Sequence, residues 1–193
     1  AEAAQALSEV LTGLGRYAEA TEAASAGLKV NEDHVGLLLA RSRAYITMAD
    51  WGAVNGVDPS KILGDAADAD LSASRVLELE PSNPDARVLH AKVLQPQGAP
   101  DEAVTEFAKV AEDHPDHFDA HYELGLHWFR AGGQDNKDMN AWKKADEHFT
   151  AALAADATSY DAAFNAAAAK AWRRLDAPEV AAAYLVAARL RPT

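Results

Sequence analysis

Cysteine is absent from this 193-residue chain. Disulfides are therefore excluded, as are zinc and iron–sulfur sites held by thiolates. Basic residues are also scarce, with 18 Lys and Arg against 30 Asp and Glu and a formal net charge of −12. Sequence-independent nucleic-acid binding needs a surplus of cations to neutralise phosphates, and adhesion to anionic lipid needs the same surplus. Both partner classes are disfavoured. Long apolar runs are missing as well. The alanine-rich stretch Ala166 to Ala171 is broken by Lys170, far short of the roughly 18 residues that cross a bilayer. Ala1 to Val10 lacks the basic-then-apolar order of a signal peptide. Glycine and proline are few, 11 and 8 residues, whereas alanine supplies 45 of the 193. Alanine buries little area but is the best intrinsic helix former. An all-α chain is expected.

Internal periodicity comes next, because a repeat decides the whole fold. Glu80-Pro81 and His114-Pro115 lie 34 residues apart, each closing an apolar segment of helical period. Between them run Arg87-x2-His90-Ala91-x2-Leu94, Gly98, and Ala103-x3-Phe107. The next stretch carries His121-x2-Leu124-Gly125-x2-Trp128 and Ala145-x3-Phe149. The last has Phe164, Ala168, Val180-x3-Tyr184 and Pro192. At the front, Leu7, Leu11, Gly15, Tyr17, Ala20 and Ala24 fit the same template. Leu124 and Trp128, four apart, share one helical face. Small residues at Gly125 and Ala145 let two helices approach, and Phe149 fills the seam towards the next pair. One such pair cannot bury its own apolar face, so stacking is required.

This pattern resembles the tetratricopeptide repeat, and the resemblance covers the whole chain. It implies an all-α, right-handed superhelical solenoid of helix–turn–helix units, about ten helices. The units read as 1–34, 35–83, 84–117, 118–160 and 161–193. The second is lengthened by an insertion at about 52–66 and the fourth by one at about 131–138. Both are expected to project from the edge where the turns within units emerge. Asp58-Pro59 reads as an N-cap followed by Pro at the first helical position, and Asp138 as a second cap. Arg41 falls where the template is apolar.

The resemblance further implies that first helices line an inner groove and that the function is non-catalytic protein–protein interaction. The register then turns Arg43, Ile46, Lys92, Tyr122, Leu126, Phe129, Arg130, Trp172 and Arg173 inward. Arginine and aromatic residues are the usual interface anchors. Basic groups on an acidic protein point to a partner peptide carrying acidic and apolar side chains. The competing reading pairs the arginines with neighbouring carboxylates such as Asp119 and Glu123. The carboxylate clamp by which some family members hold chaperone tails is not present: its sites hold Gln5 and Glu9, or Val88 and Lys92, then Glu123 and Ala166.

Catalytic signatures are missing. No Gly-rich loop ends in Lys-Ser or Lys-Thr, and there is neither a nucleophile elbow nor a His-Glu-x-x-His motif. An enzyme is not expected, nor is a cofactor. Among the seven histidines, His114-x2-His117-x3-His121 is the one spacing that suggests a metal. Against it, His121 holds a packing position and His117 falls in a turn. The run Asp135-Asn136-Lys137-Asp138 lacks the spacing and closing Glu of a calcium loop. The first residue is Ala, and the last helix carries Tyr184, Leu185, Val186 and Leu190 with nothing after it to cover them. A domain cut from a longer chain is expected, or self-association through the ends of the array.

Overall fold

The computed structural model describes residues 1–133 and 138–191, and among these every regular element is a helix. In chain order they are α1 (Glu2–Gly13), α2 (Tyr17–Leu28), α3 (Val35–Val54), α4 (Pro59–Leu79), α5 (Pro84–Leu94), α6 (Pro100–Asp113), α7 (Phe118–Gly133), α8 (Met139–Ala155), α9 (Tyr160–Trp172) and α10 (Ala177–Leu190). Side-chain caps start many of them. Asp58 accepts from the Ser60 amide at 2.8 Å, Asn83 from Ala86 at 3.0 Å, Asp138 from Asn140 at 2.8 Å and Ser159 from Ala162 at 3.3 Å. Each satisfies one of the amides that a helix start leaves without an internal partner. Two imidazoles do the same: His34 Nδ1 accepts from Leu37 and His117 Nδ1 from Ala120, both at 3.2 Å.

The chain forms two compact units, Ala1–Glu106 and Phe107–Thr193, with the boundary inside α6. In the first unit consecutive helices pack as antiparallel neighbours with alanine in the seams. Ala20, Ala24, Ala44, Ala69 and Ala73 have no exposed surface. Larger side chains fill what remains, with Leu28, Leu37, Leu38 and Val76 in one cluster and Ile46, Leu89 and Val93 in another. Close approach is built in at Gly27, where a Cβ would stand 2.7 Å from Leu37 Cδ1 and 2.9 Å from Ala4 Cβ. The apolar site occupied by Arg41 is resolved by hydrogen bonding. Arg41 Nε donates to Ser72 Oγ at 2.9 Å, while Ser42 Oγ donates to the Ala69 carbonyl at 2.9 Å.

The expected projection at 52–66 is not a loop. α3 runs 20 residues to Val54 and α4 runs 21 residues from Pro59, so the added length becomes extra helical turns. Gly52 is buried, and its Cα side meets Val57 and Ile62. That packing outweighs the weak helix propensity of the glycine. Of the expected insertion at 131–138, residues 134–137 lie outside the described residues, as do Pro192 and Thr193. Residues 131–133 end α7 and Asp138 caps α8.

In the second unit Phe149 is the centre. It is fully buried among Ala145, Ala166 and Ala169, with Tyr122, Leu126, Trp128, Phe129 and Leu153 around it. Gly125 makes room for the ring, since a Cβ there would stand 2.5 Å from Phe149 Cε1. No helix among the described residues is long and apolar enough to cross a membrane.

Candidate interaction site

In the first unit, α3 and α5 lie side by side and parallel. Two ion pairs span them at the same sequence offset: Arg43 Nη2 to Asp85 at 3.4 Å and Lys92 Nζ to Asp50 at 3.9 Å. Arg43 and Lys92 are thus on one face, each facing a carboxylate. The Arg43, Asp85 and Asp50 side chains are largely exposed, and such pairs contribute about 0–1 kcal/mol. Ile46 departs from the expectation. It is 6% exposed, packed on Ala66, Ala69, Ala73, Leu89 and Val93, and belongs to the core rather than to a surface that meets a partner. A β-branched side chain on a helix flanked by others on both sides is pulled into the seam.

In the second unit the parallel neighbours are α7 and α9, linked by Asn165 Nδ2 donating to the Tyr122 hydroxyl at 3.2 Å. Tyr122 stacks on Phe118 with centroids 5.6 Å apart and tilts against Phe149 at 5.8 Å; Phe129 meets Phe149 edge-on at 6.4 Å. Tyr122, Leu126 and Phe129 are half-buried, so this face offers ring edges over a filled core rather than an open apolar slot. Arg130, in the last turn of α7, is exposed and has no ion-pair partner among the described residues.

Arg173 and Trp172 both meet α8, and for Arg173 this corrects the expectation of a guanidinium open to a partner. The Arg173 guanidinium pairs with Asp146 of α8, and Lys170 Nζ straddles the same carboxylate, 3.0 Å from Oδ2 as a hydrogen bond and 2.9 Å from Oδ1 as a charge contact only. Asp146 is 5% exposed. Two cations around one buried carboxylate offset its desolvation, so Arg173 is committed to the α8–α9 seam. Neither Asp119 nor Glu123 is its partner. The Trp172 indole stacks on Trp142 of α8 with centroids 5.3 Å apart and planes at 25°, leaving 53% of the residue exposed. Trp142 itself is buried, admitted by Gly132, where a Cβ would stand 2.4 Å from the indole. A cavity of about 550 Å³ opens here, lined by Met139, Trp142, Ala171, Trp172 and Arg174. It sits where the α9–α10 turn emerges.

That turn has an unusual residue in it. α1, α3, α5 and α9 each close with the backbone reversing through a left-handed residue. At the first three this residue is glycine, with φ of +74° at Gly15, +72° at Gly56 and +88° at Gly98. At the fourth it is Arg174, φ 56°, the one non-glycine with positive φ among the described residues. The hydrogen bonding is the same. Arg174 donates to the Ala171 carbonyl at 3.0 Å and Leu175 to that of Lys170 at 3.4 Å, as Gly98 and Ala99 do to Gln95 and Leu94. Both pairs of bonds form a Schellman closure, whose left-handed site is glycine's preferred place. A Cβ in that conformation costs about 1–2 kcal/mol.

The histidines do not gather as ligands. Among the described residues no three His, Asp or Glu side chains converge on a point that could hold a metal. His117 is committed as a cap, and no contact of the His114 ring joins it to the others. His121 Nε2 lies 3.1 Å from the Pro115 carbonyl and its Nδ1 3.1 Å from Nδ1 of His148. A carbonyl only accepts, so His121 Nε2 carries the hydrogen and, in the neutral pair, His148 donates to His121. Burial lowers the pKa of both rings, and for His148 burial followed by the His121 charge brings it down to about 4. His148, Trp142, Asp146 and Arg174 were not singled out by the repeat pattern. Only Arg174 leaves a trace in the sequence: a non-glycine aligned with Gly15, Gly56 and Gly98.

No family model matches the chain, and no curated protein matches its sequence. Solved structures do. A thermophilic tetratricopeptide-repeat protein of Thermus thermophilus, TTC0263, superposes with a TM-score of 0.71 at 17% identity, over 100% of this chain and 92% of that one. Two structures of MamA give TM-scores of 0.54 and 0.53 at 16% and 17% identity, over 98% and 95% of this chain and 93% of theirs. The class is therefore the all-α helical repeat. More narrowly, the chain has the tetratricopeptide-repeat fold. At these identities the likeness is one of fold.

Proposed function

We propose that the protein is a non-catalytic interaction scaffold that holds a peptide segment of a partner protein along the α7–α9 face of its second unit. The observation that carries this reading is Arg130. It is an exposed guanidinium without an ion-pair partner among the described residues, in the last turn of the helix that also carries Tyr122, Leu126 and Phe129, in a chain of net charge −12. Arginine flanked by aromatic groups is the composition of interface anchors, and the cation selects acidic segments. The α3–α5 face, with Arg43 and Lys92 already opposite Asp85 and Asp50, is the poorer anion receptor. Selection of binders from a random peptide display library tests the reading. Acidic–apolar sequences should be enriched, and Arg130→Glu should weaken them at least tenfold with the melting temperature unchanged. No enriched binder, or binders indifferent to both Arg130→Glu and Tyr122→Ala, would refute it.

A second reading, self-association, is favoured by the exposed apolar residues of the first and last helices. α1 leaves Leu7 and Val10 exposed by 52 and 59%, its C-cap Leu14 is 65% exposed, and α10 leaves Leu185 and Val186 exposed by 59 and 49%. Glu2 and Glu9 flank the first, and Arg189 the second. A head-to-tail contact between copies would match both apolar surface and charge. Sedimentation should then show mass rising with concentration, and Leu185→Glu should abolish the rise.

A further inference from the structure

We propose that the cavity between the start of α8 and the end of α9 is a second peptide-docking pocket, one that takes an aromatic side chain next to a carboxylate of an acidic partner segment. The inference rests on the scaffold reading and names a contact that reading does not include. Trp172 offers the apolar platform. One face of its indole is stacked on Trp142, and half of the residue remains open to solvent. Met139, 44% exposed, forms an adaptable wall. A volume of about 550 Å³ is ample for one large side chain.

Arg174 supplies the charge. It is exposed and has no ion-pair partner among the described residues, unlike Lys170 and Arg173 beside it, which pair with Asp146, Lys170 also with Glu179. Its backbone is the decisive point. Gly15, Gly56 and Gly98 hold the same left-handed closure without strain, so glycine would serve the fold better at position 174 as well. A side chain kept where the fold disfavours one marks a site with another task. The task that this surrounding fits is anion recognition: a guanidinium at the rim of an aromatic pocket in an acidic chain.

The experiment sets stability against binding. The probe is a blocked peptide alternating glutamate with phenylalanine, titrated into the full chain and followed by tryptophan fluorescence, with the glutamine-for-glutamate peptide as control. Wild type should bind saturably, and the glutamine peptide at least tenfold more weakly. Arg174→Gly should melt about 2–8 °C higher yet bind the glutamate peptide at least tenfold more weakly, and Trp172→Ala should lose binding. The pocket is refuted if Arg174→Gly binds as wild type does, if it melts no higher, or if wild type shows no saturable binding. Should displayed peptides bind in an Arg130-dependent manner while Arg174→Gly leaves them unchanged, the α7–α9 face stands and the pocket alone falls.

Discussion

Gly125→Ala and Gly36→Ala make the same chemical change, but only the first should cost stability. At Gly125 the new methyl would stand 2.5 Å from Phe149 Cε1, 2.6 Å from Cδ1 and 3.0 Å from Cγ. Carbon pairs are at their best near 3.5–4.0 Å, so the overlap approaches 1 Å along a whole ring edge. The ring cannot swing away. Phe149 has no exposed surface and is boxed in by Ala145, Ala166 and Ala169 and by the rings of Tyr122 and Phe129. Overpacking of this kind costs about 1–3 kcal/mol, and a contact that reaches Cγ belongs at the upper end. Replacing a mid-helix glycine returns about 1 kcal/mol. The net expectation is a loss of about 2 kcal/mol, or about 4–8 °C in Tm. At Gly36 the nearest atom is Gln5 Oε1 at 2.1 Å, the tip of a flexible side chain in an exposed hydrogen bond with Glu9. It can rotate away, so Gly36→Ala should be neutral or stabilise by up to about 1 kcal/mol. Urea unfolding followed by tryptophan emission is the assay, since Trp128, Trp142 and Trp172 report on the second unit, which holds Gly125, and Trp51 on the first, which holds Gly36. Phe149→Leu in the Gly125→Ala background should recover part of the loss as a positive coupling. A Gly125→Ala chain as stable as wild type would show that the α7–α8 seam can open, and the reasoning would fail.

Other consequences follow from single side chains. His148 titrates near 4 when folded against an ordinary 6.5, so between these values the unfolded chain binds more protons; stability from this group is present above pH 6.5 and is lost as pH falls towards 4. The full shift would be worth about 3 kcal/mol, but His148 is only partly buried, and screening leaves about 1–2 kcal/mol; urea midpoints from pH 7 to 4.5 should fall less in His148→Gln. Arg173→Glu places a second carboxylate against buried Asp146 and should lower stability by about 2–4 kcal/mol, measured by thermal melting, whereas Arg130→Glu should leave Tm unchanged. Ser8 is fully buried and its hydroxyl has no hydrogen-bond partner among the described residues; Ser8→Ala should therefore gain about 1 kcal/mol in urea, and a loss would reveal a partner to that hydroxyl.

Periodicity could reveal the helices because helix formation here is local. Alanine favours the helix, and Asn83, Asp138 and Ser159 start theirs with side-chain caps. It read about 52–66 as a projecting insertion, whereas most of that length is helix; the start of α4 at Asp58-Pro59 is where the sequence puts it. Only Asn55 to Asp58 stay non-helical, because the buried Gly52 packs on Val57 and Ile62. Periodicity also assigns a face but not a reach. Arg173 caps α9, and its long side chain turns back to a carboxylate 27 residues earlier, a partner that no register could name. Ile46 sits on the correct helix yet is drawn into the seam by neighbours from α4 and α5. Arg174 shows the opposite relation. Its departure from Gly15, Gly56 and Gly98 stands in the sequence, but it acquires meaning only with the φ of 56°, since a turn of another geometry would hold arginine without strain. Where local preference and global fold agree, as in the alanine seams, the residue reports on stability; where they conflict, as at Arg174, the strain poses a question of function, which the proposed pocket answers.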